Sequence, residues 1–132
     1  NKIKILIVED YIKIAEAWSS ILAEKGFNII GICTAEKETL KKAKELIPDV
    51  VLMDINLKEG NGISCTKELV SLLPNINVIA LSMYSDEKHL EDMLNSGAKG
   101  YVTKNSSINE IVNAIEVVLS GGTYICDEMK DI

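Results

Sequence analysis

Short β-branched runs alternate with amphipathic stretches five times along the chain, and this alternation constrains the fold more than any other feature. Ile3-Lys4-Ile5-Leu6-Ile7-Val8 has the character of a strand and runs into two acids, Glu9 and Asp10. Ile14, Trp18, Ile21 and Leu22 follow at helical spacing, closed by Gly26 at a helix C-cap position. Phe27 to Cys33 reads as a second strand, and Leu40, Ala43 and Ile47 mark a second helix that Pro48 stops. Val50-Val51-Leu52-Met53, apolar on both faces, forms a third strand ending at Asp54. Beyond the loop from Asn56 to Gly62, a third helix presents Cys65, Leu69, Leu72 and Leu73. Asn77 to Leu81 gives a fourth strand ending at Ser82, and a helix from about Asp86 to Ser96 ends at Gly97. Gly100-Tyr101-Val102 is the core of a fifth strand. Ser107 and Glu110 have capping-box spacing for a last helix that buries Ile108, Ile111, Ile115, Val118 and Leu119 and stops at Gly121-Gly122.

Strand–helix alternation of this kind means a parallel sheet covered by helices on both faces. The predicted fold is α/β: a flavodoxin-like, doubly wound, five-stranded parallel sheet in the order 2-1-3-4-5, with five helices. With 132 residues there is room for one domain with a sizeable core, expected over 1–122, and 123–132 reads as the start of a linker. Hydrophobic residues at 47% and charged residues at 26% predict a soluble globular chain. A formal net charge of −6 argues against non-specific binding to nucleic acid or to an anionic membrane surface. No apolar run is long enough to span a bilayer. Cys33, Cys65 and Cys126 are odd in number and in no CxxC pattern, which points to small buried hydrophobes in a reducing cytoplasm.

In open α/β sheets the ligand crevice lies beyond the carboxyl ends of the strands, where the strand order reverses. For this order that point falls between strands 1 and 3. The residues just past the strands are Glu9 and Asp10, Asp54, Ser82 and Lys104. Taken singly, each has an ordinary explanation: Asp10 as a helix N-cap, Glu9 as a surface charge, Ser82 and Lys104 as loop residues. Their joint placement at four strand ends of one sheet points to chemistry instead. Two carboxylates about 5 Å apart repel by roughly 3 kcal/mol at an effective dielectric near 20. Three such groups stay ionised together only with positive charge among them. Lys104 supplies one charge, and a hard dication held by oxygen ligands supplies the rest; Mg²⁺ fits, with Mn²⁺ as a substitute. A carboxylate nucleophile, a metal, an ammonium and a hydroxyl are together what phosphoryl transfer to a carboxylate requires.

With these residues in place, the chain resembles a receiver domain of two-component signalling along nearly its whole length. The resemblance rests on Ile5-Leu6-Ile7-Val8-Glu9-Asp10, Asp49-Val50-Val51-Leu52-Met53-Asp54, Ser82, and Gly97-Ala98-Lys99-Gly100-Tyr101-Val102-Thr103-Lys104. It implies that Asp54 is the phosphoacceptor and that Asp10, Asp54 and the backbone carbonyl of Asn56 ligate the metal, with Glu9 acting through water. It further implies that Lys104 pairs with the phosphoryl group and that Ser82 and Tyr101 form a switch pair. The implied donor is a phosphohistidine on a sensor histidine kinase. Homodimerisation on phosphorylation is a further implied partnership. Such a domain is no conventional enzyme, yet it catalyses its own phosphorylation, from phosphohistidine or small phosphodonors, and its own dephosphorylation. His89, the one histidine, matches no family site and reads as a solvated or packing residue.

Asn105 follows the lysine where many receivers carry proline, and Ser120-Gly121-Gly122-Thr123-Tyr124-Ile125 follows the last helix. Both features are similar to receivers that precede a LuxR-type helix-turn-helix domain, the NarL/FixJ group. DNA contact and control of transcription are then expected through a C-terminal domain beyond residue 132, and the polar segment from Asp127 to Ile132 is expected to begin the linker to it. Three other readings compete. A stand-alone receiver would act by protein–protein interaction without a DNA-binding domain. A degenerate receiver would lack the acceptor or the lysine, yet Asp54 and Lys104 are both present. A flavodoxin-like cofactor binder would need a phosphate-cradling loop where Glu9-Asp10-Tyr11 places negative charge.

Overall fold

Strands form where the β-branched runs lie, and four of them are buried on both faces, as a parallel sheet between helical layers demands. In the computed structural model, which describes residues 2–130, β1 spans Lys4–Val8, β2 Asn28–Cys33, β3 Val50–Met53, β4 Asn77–Ser82 and β5 Gly100–Thr103. The helices between them are α1 (Ile12–Glu24), α2 (Glu36–Leu46), α3 (Gly62–Leu72), α4 (Glu87–Asn95) and α5 (Ile108–Leu119). β3 and β5 are buried at every position, while β2, at the sheet edge, is only partly covered. The helix stops follow the local chemistry. Gly26 and Gly97 take φ of 96° and 109° just past α1 and α4, where a side chain would be strained. Pro48 blocks continuation of α2 and leaves Ile47 at φ 46°.

The sheet runs β2-β1-β3-β4-β5-β6 with every neighbouring pair parallel, so the fold is the expected flavodoxin-like one with one strand more. The sixth strand, β6 (Tyr124–Ile125), corrects the five-strand expectation. It pairs with β5 through Gly100↔Tyr124 and Tyr101↔Ile125, inside the segment expected to begin a linker. A short 3₁₀ turn, Asp127–Met129, follows, and Cys126 and Met129 are fully buried against the domain. A two-residue strand carries no periodicity, and two isolated apolar residues among Asp127, Glu128 and Lys130 give little hydrophobic signal.

The expected buried stripe of α5 is present at Ile111, Ile115 and Val118, whereas Leu119 is exposed at the last turn. Leu72, expected on the inward face of α3, is likewise exposed. All three cysteines are buried and free, and burial pushes the Cys33 and Cys65 thiols up to about 11 and 12. Such thiols are inert hydrophobes. No helix among the described residues is long and apolar enough to cross a membrane.

Candidate functional site

The strand ladders deliver the site residues. Beyond the last paired residues of β1, β3 and β5, one further backbone hydrogen bond fixes each following residue. Glu9 N–H donates to Cys33 O at 2.9 Å, Asp54 N–H to Val8 O at 2.9 Å, and Lys104 N–H to Ser82 O at 2.7 Å. Three residues far apart in sequence, Glu9, Asp54 and Lys104, are thereby set at one edge of a rigid sheet, at the β1/β3 switch point. Together with Asp10, Tyr11, Ile14, Asn56, Met83 and Tyr84 they line a cleft of about 200 Å³. A larger apolar cleft of about 360 Å³ lies at the opposite end of the strands, between Ile47, Leu72 and Leu119; Asp49 is its one ionisable lining residue.

Glu9, Asp10 and Asp54 bring one carboxylate oxygen each to within 4.8 Å of one another. Glu9 and Asp54 are 3% and 7% exposed, so their repulsion is poorly screened, while Asp10 stands open to solvent. The N-cap of α1 is Tyr11, without a side-chain cap, so the helix does not draw on Asp10 in that role. The Lys104 ammonium donates to Glu9 Oε1 at 2.5 Å and lies 3.6 Å from Asp54 Oδ2. Tyr11 N–H donates to Glu9 Oε2 at 3.1 Å.

The two buried acids diverge accordingly. Burial, then the hydrogen bond and charge of Glu9, push Asp54 up to about 7 despite Lys104 nearby. Burial opposes ionisation of Glu9 too, but the hydrogen bonds from Lys104 and Tyr11 outweigh it and hold Glu9 below its ordinary value.

Ser82 is fully buried, and its Oγ accepts from Tyr84 N–H at 2.9 Å. Tyr101 is also fully buried, with its hydroxyl donating to Tyr84 O at 2.8 Å and burial pushing its pKa up to about 12. Asn56 lies two residues past Asp54 in a turn bridged to Asn61, whose side chain caps α3 by accepting from Ser64 N–H. Glu9, Asp10, Asp54, Asn56 and Lys104 thus line this cleft, and Ser82 and Tyr101 are tied to it through Tyr84. Sequence reasoning missed Tyr84, which touches Ser82, Tyr101 and Asn56 at once. The available signal was its position: an aromatic two residues beyond the fourth strand, on the carboxyl edge.

Comparison with known proteins agrees with this geometry. Residues 5–116 match the model of the response regulator receiver domain. The chain belongs to that family. Among curated relatives of this receiver, the transcriptional regulatory protein DegU of Brevibacillus brevis is 37% identical over 130 residues, covering 95% of the chain and 53% of DegU. The receiver thus spans about half the length of that relative. A LuxR-family two-component response regulator from Aurantimonas superposes with a TM-score of 0.94 at 24% identity, over 99% of this chain and 94% of the other. CheY in the CheX–CheY–BeF3–Mg complex of Borrelia burgdorferi superposes with a TM-score of 0.83 at 27% identity, over 88% of each chain.

Proposed function

We propose that Asp54 accepts a phosphoryl group from a phosphohistidine of a sensor kinase, and that the modified domain controls a LuxR-type DNA-binding domain and hence transcription. The observation that carries this reading is Asp54 itself: a buried carboxylate at the end of β3, flanked by two acids and 3.6 Å from one ammonium. A carboxylate oxygen of Asp54 attacks phosphorus as the P–N bond of the donor breaks. The donor imidazole, protonated on its other nitrogen, leaves as a neutral ring. Lys104, already facing both Glu9 and Asp54, pairs with the incoming phosphoryl oxygens. Ser82, whose Oγ accepts from Tyr84 N–H and also meets the Tyr101 hydroxyl, would turn its own O–H to one of them.

The donor set suits a hard dication. Asp10 and Asp54 would hold Mg²⁺ together with the Asn56 carbonyl, and Glu9 would act through water. When bound, the metal neutralises negative charge on the phosphoryl oxygens. The clustering of three carboxylates, two of them buried, supports this assignment.

Tyr101 turns fully inward here, its hydroxyl on the same Tyr84 carbonyl-bearing turn that holds Ser82. Phosphorylation shifts the switch toward this arrangement only as far as the phosphoryl group binds it more tightly than the alternative. The DNA-binding output, a kinase partner and dimerisation on phosphorylation are supported by the regulators this receiver resembles. Intact-mass analysis after incubation with acetyl phosphate and Mg²⁺ tests the acceptor. One phosphoryl adduct is expected, labile to hydroxylamine and absent in Asp54→Ala; equal labelling of that variant rejects Asp54.

A further inference from the structure

We propose that His89 is a positioning residue for this site: its ring stacks on Tyr84 and holds the Tyr84 hydroxyl against the Asn56 side chain, ordering the Asn56 loop for the divalent cation. This rests on the metal assignment made above. Asn56 Nδ2 donates to the Tyr84 hydroxyl oxygen at 2.5 Å. The Tyr84 and His89 rings lie 3.8 Å apart between centroids and within 1° of parallel. His89 is itself fixed from the other side. Asp86, the N-cap of α4, accepts from the His89 backbone N–H at 3.1 Å and meets the ring Nδ1 at 2.7 Å.

A histidine on a solvated helix face keeps its rotamer freedom. This one is held by a cap carboxylate and covers an aromatic face, with its side chain only 30% exposed. Tyr84 gains the corresponding order. It lies in the short turn between β4 and α4, where a lone tyrosine would sample several rotamers, and each lost rotamer costs entropy. The stack removes that freedom before any ligand arrives. Asn56, exposed on its own loop, then has one fixed partner for its amide. The Asn56 carbonyl is the only backbone ligand in the proposed metal set, so fixing that residue's side chain limits the motion of the carbonyl as well. Groups standing behind metal ligands commonly set affinity by about tenfold or more.

The path also runs the other way. The first turn of α4 is tied to the metal loop through Asp86, His89 and Tyr84, so occupancy of the site and the placement of that turn are coupled reciprocally. The Tyr84 backbone meanwhile holds Ser82 and Tyr101, which places the metal loop and the switch pair on one residue.

Mg²⁺ affinity measured by calorimetry on wild type, Tyr84→Phe, His89→Ala, His89→Phe, the Tyr84→Phe/His89→Ala double variant and Asp10→Ala tests this, with circular dichroism melts verifying that each folds. Tyr84→Phe and His89→Ala should each weaken Mg²⁺ binding by roughly tenfold. The double variant should be no weaker than either single one, and His89→Phe, which keeps the stack, should stay within about twofold of wild type. In the metal-free protein, the Asn56 side-chain amide NMR signals should move alike in Tyr84→Phe and His89→Ala. Additive losses, unchanged affinity in His89→Ala, or a loss in His89→Phe equal to that in His89→Ala overturns the positioning role. Absence of Mg²⁺ binding in wild type, or full binding in Asp10→Ala, overturns the metal assignment and this inference with it.

Discussion

Gly62 opens α3 against the backbone of the acceptor loop, and the contact leaves no room for a side chain. Its N–H donates to Ile55 O at 2.6 Å, and a Cβ there would collide with the Asp54 carbonyl oxygen and press on the Ile55 Cα. Both obstacles are backbone, so neither can rotate away. Gly62→Ala should therefore displace α3 or the Asp54 loop, at a cost of about 1–3 kcal/mol. Thermal melts should show that loss, and acetyl phosphate labelling should slow; an unchanged melt and rate would mean the loop yields freely. Single residues differ in how far the sequence exposed them. Asp54 and Lys104 were legible because each follows a strand by one residue, where the ladder hydrogen bonds fix it. Gly62 and Tyr84 were not, since their roles depend on what the loop folds against. Lys104 was legible only in part. Its nearest partner is Glu9 at 2.5 Å, with Asp54 a further step away, and strand-end position alone does not say which of the two acids it meets. Ser82→Ala should still accept phosphate but lose the hydroxyl proposed to couple the phosphoryl group to Tyr101. If shift changes at Tyr101 on phosphorylation match those of wild type, that link is wrong.

At the scale of elements, the five β-α units were readable because each strand run and each helical stripe is long enough to show its period. β6 was not, and its anchors are polar. Glu110 was read as one half of a capping box, and Ser107 does cap α5 by accepting from Glu110 N–H at 3.1 Å. The Glu110 carboxylate, however, accepts from the Tyr124 hydroxyl at 2.9 Å and from Asp127 N–H at 2.8 Å. Thr103, beside Lys104, donates to Glu128 Oε1 at 2.7 Å from a buried position. The segment after α5 is thus tied to the strand that carries Tyr101 and to the residue before Lys104. Glu110→Ala leaves two donors without their partner and should cost about 1–2 kcal/mol. Hydrogen exchange should localise the effect: the Tyr124 and Cys126 amides, bonded to Lys99 O and Tyr101 O, should exchange faster while β1 and β3 keep their protection. Uniform acceleration across the sheet would show that β6 has no stability of its own to lose.

For the whole molecule, the acid cluster sets how stability depends on pH and on divalent metal. Asp54 is pushed up to about 7, so between its unfolded value of about 4 and that point the folded chain holds a proton that the unfolded chain releases. Stability contributed by that proton is fully present below about pH 4 and is lost as the pH rises toward 7. Glu9, held below its ordinary value, works in the opposite sense: its contribution is present above its unfolded value of about 4.3 and is lost in more acid solution. Above about pH 5 the Asp54 effect is the one still changing. Metal-free protein should therefore melt lower at about pH 8 than at about pH 5. A dication held by the ionised cluster, as proposed, would compete with the proton, so its stabilisation should be larger at the higher pH. At a concentration tens of times its Kd the gain is about 2 kcal/mol, on the order of 5 °C in a domain of this size. Paired melts with and without Mg²⁺ across this range check it, with Asp54→Asn as the control that should flatten both the pH slope and the metal gain. A Mg²⁺ gain equal at both ends of the range, or retained in full by Asp54→Asn, would mean that the ion stabilises the fold somewhere other than this cluster.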